Sequence, residues 1–475
     1  MRLVLALTLA LASLIIGVFL DSLTIAFTLA NAALASIPWV LRRYPSAFDP
    51  FEPYFGLTIL FYLYSVSTLL FVAENQISYN MEVVTSTALL KYVYVCLIGQ
   101  FGLVLGFLLS PRVRQPDLDL NPSCDADNRI RILLGPALFV ALVLLPFYFD
   151  RFNFSNVVSY ADSALESRLL QMDDSAAGLK SVFLRDTPTL FVLCASTLIL
   201  FDQKRLPLMR FGAAFVLGAY VVTSLMAGWR AQVVLGLLFP LMFFHYRVRR
   251  LPMATVLSGG GLLYLLVNAL TIMRSSSDLG VMLSLLFEDV SENGLFFLKL
   301  SNSGELATSS NLLTLIMGIE DGRADFSLGG LIVSQFGAYI PRSFWPDRPL
   351  MASELFVKTF FPGVLEAGGG YGLFFHQEGY WDFGLIGVLI NAATISWVTC
   401  MIYRNLMVKH FESFTVLLYT TLYGVLVLSV VRSGFVGSFK AMLMAALPLL
   451  VILWLAKKKQ ESVSSKDLGR DNCCS

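Results

Sequence analysis

Charged residues are scarce in this chain: only 14% of its 475 residues are Asp, Glu, Lys or Arg, and His occurs 3 times. A soluble domain typically has about a quarter of its residues charged, so this chain has too few charges to cover a water-facing surface. Its formal net charge of +1 argues against nucleic-acid binding, which needs a basic face. The sequence also lacks a Gly-x-x-x-x-Gly-Lys-Ser/Thr loop and a His-Glu-x-x-His pair, the signatures of ATP-driven transport and of zinc proteases.

Apolar residues are abundant instead, at 56% of the chain, and the mean hydropathy is +0.71. Runs of about 20 such residues are long enough to cross a ~30 Å hydrocarbon core. They predict an all-α polytopic membrane protein with about twelve transmembrane helices. The predicted membrane domain covers 1–459, and a disordered cytoplasmic tail covers 460–475. The predicted spans lie near 3–20, 22–41, 54–73, 85–109, 131–149, 187–201, 211–228, 231–246, 253–272, 381–402, 414–431 and 439–456.

The distribution of Lys and Arg predicts the orientation of these spans. If the N-terminus is cytoplasmic, every second loop is basic, as the positive-inside rule requires. Both termini are therefore predicted to be cytoplasmic. Two sizeable periplasmic loops follow from this orientation, a first over 150–186 and a larger second over 274–380.

Arginines on the outer side are the exceptions to this pattern. Arg230 and Arg432 interrupt short outer turns, where Arg is normally avoided, and Arg342 lies in the second outer loop. A guanidinium group binds phosphate through two parallel hydrogen bonds, so these residues are candidates to bind a phosphate-bearing substrate. Arg168 and Tyr160 in the first outer loop are candidates of the same kind. The alternative, contact with lipid headgroups or a local acid, remains open for each arginine.

The second outer loop contains two further motifs. Over 339–349, three prolines form a rigid segment that fixes Arg342 and Arg348 at the membrane boundary. Just before it, apolar residues at helical spacing over 328–339 predict a helix on the membrane surface.

The loop returns to the membrane through a second motif, His376-Gln377-Glu378-Gly379-Tyr380. In a helical re-entry, Glu378 shares a face with Asp382. A carboxylate or imidazole at this point could act as a general base on a substrate hydroxyl. Glu378 is the better candidate because a charge among apolar and aromatic residues is costly without a purpose. For His376, an ordinary interfacial histidine is an equally good interpretation.

At these residues the chain resembles the Wzy-type oligosaccharide repeat-unit polymerases, which make O-antigen and capsule in bacterial inner membranes. The topology is similar, and so are four local motifs: Gly228-Trp229-Arg230, Ile340-Pro341-Arg342 with Trp345-Pro346-Asp347-Arg348-Pro349, Glu378-Gly379-Tyr380 with Phe383-Gly384-Leu385-Ile386-Gly387, and Arg432-Ser433-Gly434. One family pattern is absent. Some members have an arginine separated by ten residues from a glycine in both outer loops, whereas Arg168 and Gly178 have nine between them.

The resemblance implies a metal-independent membrane glycosyltransferase without a cofactor, acting on the periplasmic side of the inner membrane. It would transfer the growing glycan from undecaprenyl pyrophosphate to the non-reducing end of an incoming lipid-linked repeat. The implied partners are undecaprenyl-pyrophosphate-linked oligosaccharides and the bilayer, with a chain-length regulator and a flippase as further candidates and no nucleic acid. The implied catalytic residues are Glu378, His376 and Arg342, and those implied to bind substrate are Arg230, Arg348, Arg432, Arg168, Tyr160 and Tyr380.

Two other functions remain open at this point. An O-antigen ligase has a similar topology and outer arginines, but its acceptor is lipid A–core. A lipid-linked sugar flippase or secondary transporter would instead carry polar residues along the middle of its spans. The predicted spans are apolar at mid-depth apart from Lys91, Gln100 and Asn391, which favours an enzyme.

Overall fold

The computed structural model describes the protein in segments. They are 22–40, 49–78, 80, 82–111, 187–202, 206–226, 230–273, 284, 306–337, 340, 344–345, 347–366, 371–408, 413–430 and scattered positions between 434 and 450. All statements below concern these residues.

Helices make up the regular structure of these segments, apart from one antiparallel bridge between Ile77 and Val83. We number them α1 to α13 in chain order. They are α1 Ser22–Val40, α2 Pro53–Asn75, α3 Ser86–Leu109, α4 Thr187–Phe201, α5 Pro207–Met226, α6 Arg230–Arg247, α7 Met253–Met273, α8 Asn311–Glu320, α9 Gly330–Gly337, α10 Ala352–Phe360, α11 Pro362–Glu366, α12 Phe375–Tyr403 and α13 Ser413–Tyr423. A 3₁₀ turn, Leu306–Ser310, precedes α8, and π-helical turns follow α12 and α13.

The predicted all-α class is confirmed for the described residues, and nine of the predicted spans fall on helical segments. Three helices are long and apolar enough to cross a membrane: Pro53–Asn75, Ser86–Leu109 and Phe375–Met407. Shorter apolar helices accompany them, among them Leu23–Pro38 and Gln232–Arg247. The predicted spans 3–20 and 131–149, the loop over 150–186 and the tail over 460–475 lie outside the described residues, as does most of 439–456.

Small residues explain how α3 and α12 pack. Gly102 faces α12 so closely that a Cβ there would lie 2.6 Å from the Cβ of Ala392, and one on Gly106 would overlap the carbonyl of Ala393. Helices in lipid associate through such small-residue faces because van der Waals contact, rather than water exclusion, holds them together. These glycines therefore set the closest helix pair of the bundle core.

Helix α12 folds back on itself at Phe383 and Gly384. Gly384 has φ +60° and ψ −142°, a conformation that favours glycine, and it separates a short arm (375–382) from a long arm (385–403). The two arms are antiparallel: Asn391 Nδ2 donates to the carbonyl of Phe375 at 3.2 Å, although 16 residues separate them. In a straight helix these residues would be about 24 Å apart.

Gly379 and Gly387 make the crossing of the two arms possible. A Cβ on Gly379 would lie 2.6 Å from the carbonyl oxygen of Gly387, and one on Gly387 would overlap the carbonyl of Gly379. The sequence prediction placed the end of a loop at 380 and a span from 381. The structure instead begins a helix at Phe375 and reverses it three residues after Tyr380.

The bundle has two distinct ends. Asp49, just before α2, contacts Tyr403 at the end of the long arm, whereas Phe61 and Tyr64, farther along α2, contact His376 and Phe374 at the start of the short arm. We call the first the Asp49 end. The second, against which the 3₁₀ turn, α8 and α9 pack, is the loop end. Here the Gln377 side chain accepts a hydrogen bond from the N–H of Phe374 and donates to the backbone carbonyls of Thr308 and Ser309 in the 3₁₀ turn.

Candidate functional site

Glu378 lies on the short arm at the loop end and is 6% exposed to solvent. Its Oε1 accepts a hydrogen bond from Nε2 of Gln335 at 2.7 Å. Gln335 belongs to α9, within the stretch predicted to be a helix of the second outer loop. A helix of that loop therefore covers the carboxylate and fixes the direction in which it points.

Gly434 lies against the same carboxylate. It has φ +75°, in the left-handed region, and a Cβ at this position would overlap the Glu378 side chain. Any other residue would be strained there and would also displace the carboxylate. Gly434, the last residue of the motif Arg432-Ser433-Gly434, thus lies against Glu378 of the other motif, although more than fifty residues separate the two in the sequence.

Asp382 also lies on the short arm, one turn beyond Glu378, and is 3% exposed. Its Oδ1 accepts hydrogen bonds from the backbone N–H of Gly329 at 3.2 Å and of Leu331 at 3.1 Å. The carboxylate therefore caps the N-terminus of α9, where the helix dipole favours negative charge. The two acidic residues that share a face of the short arm consequently contact different parts of one helix.

His376 occupies a different environment from Glu378. It is 1% exposed, and the ring centroids of Phe61, Phe374 and Phe375 lie 4.9, 5.5 and 5.4 Å from its own. Neither ring nitrogen has a hydrogen-bond partner among the described residues. Charging an imidazole in such an apolar enclosure is costly. Of the two candidate bases, Glu378 has the more suitable surroundings.

Arg348 and Tyr380 are the other two predicted site residues whose side chains are described. Arg348 Nη1 donates to the backbone carbonyl of Ile340 at 3.0 Å, so this guanidinium helps to close the proline-rich segment. Tyr380 is buried on the short arm, with its ring 5.9 Å from that of Phe326. Neither contact joins them to the Glu378 carboxylate.

The remaining predicted site residues lie outside the described part of the structure. Arg230 begins α6, but its side chain is not described. Neither the backbone nor the side chain is described for four others: Arg168, Tyr160, Arg342 and Arg432. For Arg432, the nearest described residues are Val430 and Gly434, two positions away on either side.

Sequence reasoning missed Gln335 and the cap formed by Asp382. It also left out Arg323, an arginine between α8 and α9 in the predicted second outer loop. Arg323 forms ion pairs with Glu82 at 2.8 Å and Asp321 at 3.3 Å, and it lies 5.6 Å from the centre of the Phe360 ring. Lys91, counted as a polar residue at mid-span, pairs instead with Glu320 within two turns of the start of α3.

A second buried carboxylate, Asp49, lies at the opposite end of the bundle. Its Oδ2 accepts hydrogen bonds from the hydroxyls of Tyr246 at 2.7 Å and Tyr403 at 2.6 Å, and its Oδ1 from the N–H of Phe51 at 2.9 Å. His245 Nε2 lies 3.5 Å from Oδ1. Because the Leu251 N–H donates to Nδ1, Nε2 is the ring nitrogen that carries a proton toward Asp49.

Comparison with known proteins gives no match: no family model, no curated protein and no solved structure is significantly similar to this chain. Among the described residues, no group of three or more His, Cys, Asp or Glu side chains is arranged to hold a metal ion. The functional argument therefore depends on the chemistry of the residues themselves. At the loop end they provide a buried carboxylate that is oriented by an amide and bordered by a glycine backbone.

Proposed function

We propose that the protein is a polymerase that joins lipid-linked oligosaccharide repeat units, of the Wzy type that its motifs resemble. It transfers the growing glycan from undecaprenyl pyrophosphate to the non-reducing end of an incoming repeat linked to the same lipid. This reaction needs a base for the acceptor hydroxyl and positive charge for the pyrophosphate leaving group, but no cofactor or metal ion.

One observation carries the proposal: the buried Glu378 carboxylate of one resembling motif lies against Gly434 of another and against a helix of the predicted outer loop. Gln335 approaches it from α9, and Gly434 approaches it from the 432–434 motif. A carboxylate that is removed from water and held in one direction is well suited to accept a proton.

The chemistry follows from this arrangement. The acceptor hydroxyl oxygen attacks the anomeric carbon of the growing chain while its proton passes to Glu378. The bond between that carbon and the pyrophosphate oxygen breaks, and undecaprenyl pyrophosphate leaves with the electron pair. Arg230, Arg342 and Arg432 stabilise the negative charge that develops on the leaving group. A direct displacement of this kind inverts the anomeric configuration.

The same proposal fixes the placement of the chain in the bacterial inner membrane. About twelve helices cross the bilayer, both termini are cytoplasmic, and the loop end faces the periplasm. Four basic residues at the Asp49 end support this orientation, since Arg247 ends α6, Arg249 and Arg250 follow it, and Arg404 follows α12. The short arm of α12 then re-enters the outer leaflet.

Deletion of the gene, followed by gel analysis of the surface polysaccharide, tests the function. We expect long chains to disappear while single repeats remain attached to their acceptor. Loss of all repeats would contradict the proposal and would indicate a ligase or a flippase. A copy carrying Arg230→Ala should fail to restore long chains at a normal protein level. Normal chain lengths with this variant would contradict the assigned role of Arg230.

A further inference from the structure

We infer that Asp382 is a positioning residue: it fixes the start of α9 on the short arm of α12 so that Gln335 holds Glu378 in its productive direction. The inference rests on the proposed function for the role of Glu378. The contacts that support it are independent of that function.

The attachment of α9 to the short arm begins in the segment 325–331. Asp382 Oδ1 accepts from the N–H groups of Gly329 and Leu331, and the backbone carbonyl of Asp382 accepts from the N–H of Leu328 at 3.1 Å. The residue before it contributes as well: the carbonyl of Trp381 accepts from Ser327 N–H at 2.9 Å, and its indole N–H donates to the carbonyl of Asp325 at 3.0 Å. Five hydrogen bonds thus join the last turn of the short arm to the entry of α9.

The spacing along both helices connects this attachment to Glu378. Asp382 contacts Leu331, and Glu378 contacts Gln335, so the two contacts are one turn apart on each helix. A helix rises about 6 Å over four residues. One rigid helical turn joins the two contacts. A shift of the N-terminus of α9 therefore moves Gln335 relative to Glu378 by about the same distance as the shift.

The environment of Asp382 suits an anchor rather than a proton acceptor. Its Oδ1 already accepts from two backbone N–H groups. An asparagine could keep both contacts, since its side-chain carbonyl accepts from the same two amides. An alanine could keep none of them. A general base would show the opposite behaviour, because an amide no longer accepts the proton.

Three variants in the full-length protein test this assignment, with polymer length and initial rate measured at matched protein level. We expect Asp382→Asn to remain within about threefold of the wild-type rate, and Asp382→Ala to lose about 100-fold in kcat with a smaller change in KM, the cost of a misplaced catalytic group. Asp325→Ala is the matched control. Its carboxylate lies in the same segment, but only its backbone carbonyl bonds to Trp381, so it should behave as the wild type.

Limited trypsin digestion gives a readout that does not depend on activity. Cleavage after Arg323, just before α9, should be faster in Asp382→Ala than in the wild type and unchanged in Asp382→Asn. If the wild type makes no polymer but the digestion behaves as expected, the proposed function fails and the anchor stands.

The anchor itself is overturned by either of two results. One is an Asp382→Asn protein that folds normally yet is as inactive as Glu378→Gln. The other is equal digestion of the wild type and Asp382→Ala. If Asp382→Ala does not accumulate, the Asp382→Asn result decides by itself.

Discussion

Two buried carboxylates at opposite ends of this bundle, Asp49 and Glu378, differ in what surrounds them. The described contacts of Asp49 come from two tyrosine hydroxyls and an imidazole on α6 and α12 and from the N–H of Phe51, and Asp49 is 3% exposed. The described contacts of Glu378 are with the amide side chain of Gln335 and with Gly434, which has no side chain of its own. Burial alone therefore does not distinguish a structural carboxylate from a reactive one. The nature of the neighbouring groups does.

Asp49 joins elements that are far apart in the sequence. Its partners Tyr246 and Tyr403 lie at the ends of α6 and the long arm of α12, and the Tyr419 hydroxyl of α13 donates to the carbonyl of Phe51 close by. A buried charge with several donors costs stability when any partner is removed. We interpret this cluster as a clamp that holds the Asp49 end together, while the loop end carries the chemistry.

Among the variants that test this difference between Asp49 and Glu378, Gly434→Ala should cause the largest loss of activity. The new Cβ would overlap the Glu378 carboxylate, and the alanine backbone would be strained at the positive φ of this position. Polymer formation should therefore fall by about 100-fold or more. Gly363→Ala is the matched control, because a Cβ at Gly363 meets nothing within 4 Å. Full activity of Gly434→Ala, measured as chain length at equal protein level, would show that Gly434 does not border the reacting group.

Asp49→Ala should produce the opposite result: a less stable protein whose folded fraction remains active. Removing the carboxylate leaves two tyrosine hydroxyls and an imidazole without their acceptor, at a cost of about 3–5 kcal/mol. Thermal unfolding in detergent, followed together with the initial rate per folded molecule, measures both. A stable but inactive Asp49→Ala protein would contradict the division between clamp and site.

Acidification should reveal the same clamp in the wild type. Burial by itself favours the neutral acid, but His245 and the hydroxyls of Tyr403 and Tyr246 outweigh it and hold the pKa of Asp49 below its ordinary value of 3.8. A carboxylate with a lowered pKa contributes stability above its unfolded pKa and loses it as the pH falls through the folded pKa. The melting temperature should therefore fall below about pH 4 more steeply in the wild type than in Asp49→Asn. Equal slopes would contradict this.

The smallest effect is expected from Arg323→Ala, which tests the exposed charges of the loop end. Its ion pairs with Glu82 and Asp321 are partly exposed, so their loss should cost about 1 kcal/mol or less, and less still at high salt. Polymer length should not change. A loss of activity comparable with that of Gly434→Ala would place Arg323 in the site and remove the contrast with Glu378.

The sequence predicted the helices well because their signal is local. The apolar run near 54–73 corresponds to α2, and the one near 85–109 corresponds to α3, whose N-terminus is capped by Thr85. Both are strongly apolar segments bounded by residues that begin or end helices. The helix predicted over 328–339 likewise contains α9.

The reversal of α12 was not predicted because hydropathy continues through it. Phe383 and Gly384 interrupt neither the apolar pattern nor the length expected of a span. One signal was present in retrospect: Gly379 and Gly387 are placed symmetrically about Phe383, which is the spacing that two arms crossing at close range require. Glycines at equal distances from a break could identify such hairpins elsewhere.

Local sequence patterns could not predict which residues contact the site residues. Gln335 lies 43 residues from Glu378 in sequence, and Tyr403 lies 354 residues from Asp49. Nothing in a short amphipathic segment such as α9, which has about two turns, indicates which of its polar residues will face a distant carboxylate. The choice of Glu378 as a base came from its residue type and surroundings, whereas its orientation by Gln335 came only from the fold.

The most direct test of the central claim is polymerisation by the purified protein in liposomes, with one lipid-linked repeat unit as the only substrate. The wild type should form long chains and release undecaprenyl pyrophosphate, and Glu378→Gln should form them at least about 100-fold more slowly, because its amide accepts no proton. Glu320→Gln, the same change at the exposed pair with Lys91, should match the wild type. Equal rates for the wild type and Glu378→Gln would contradict the assignment of this carboxylate as the base.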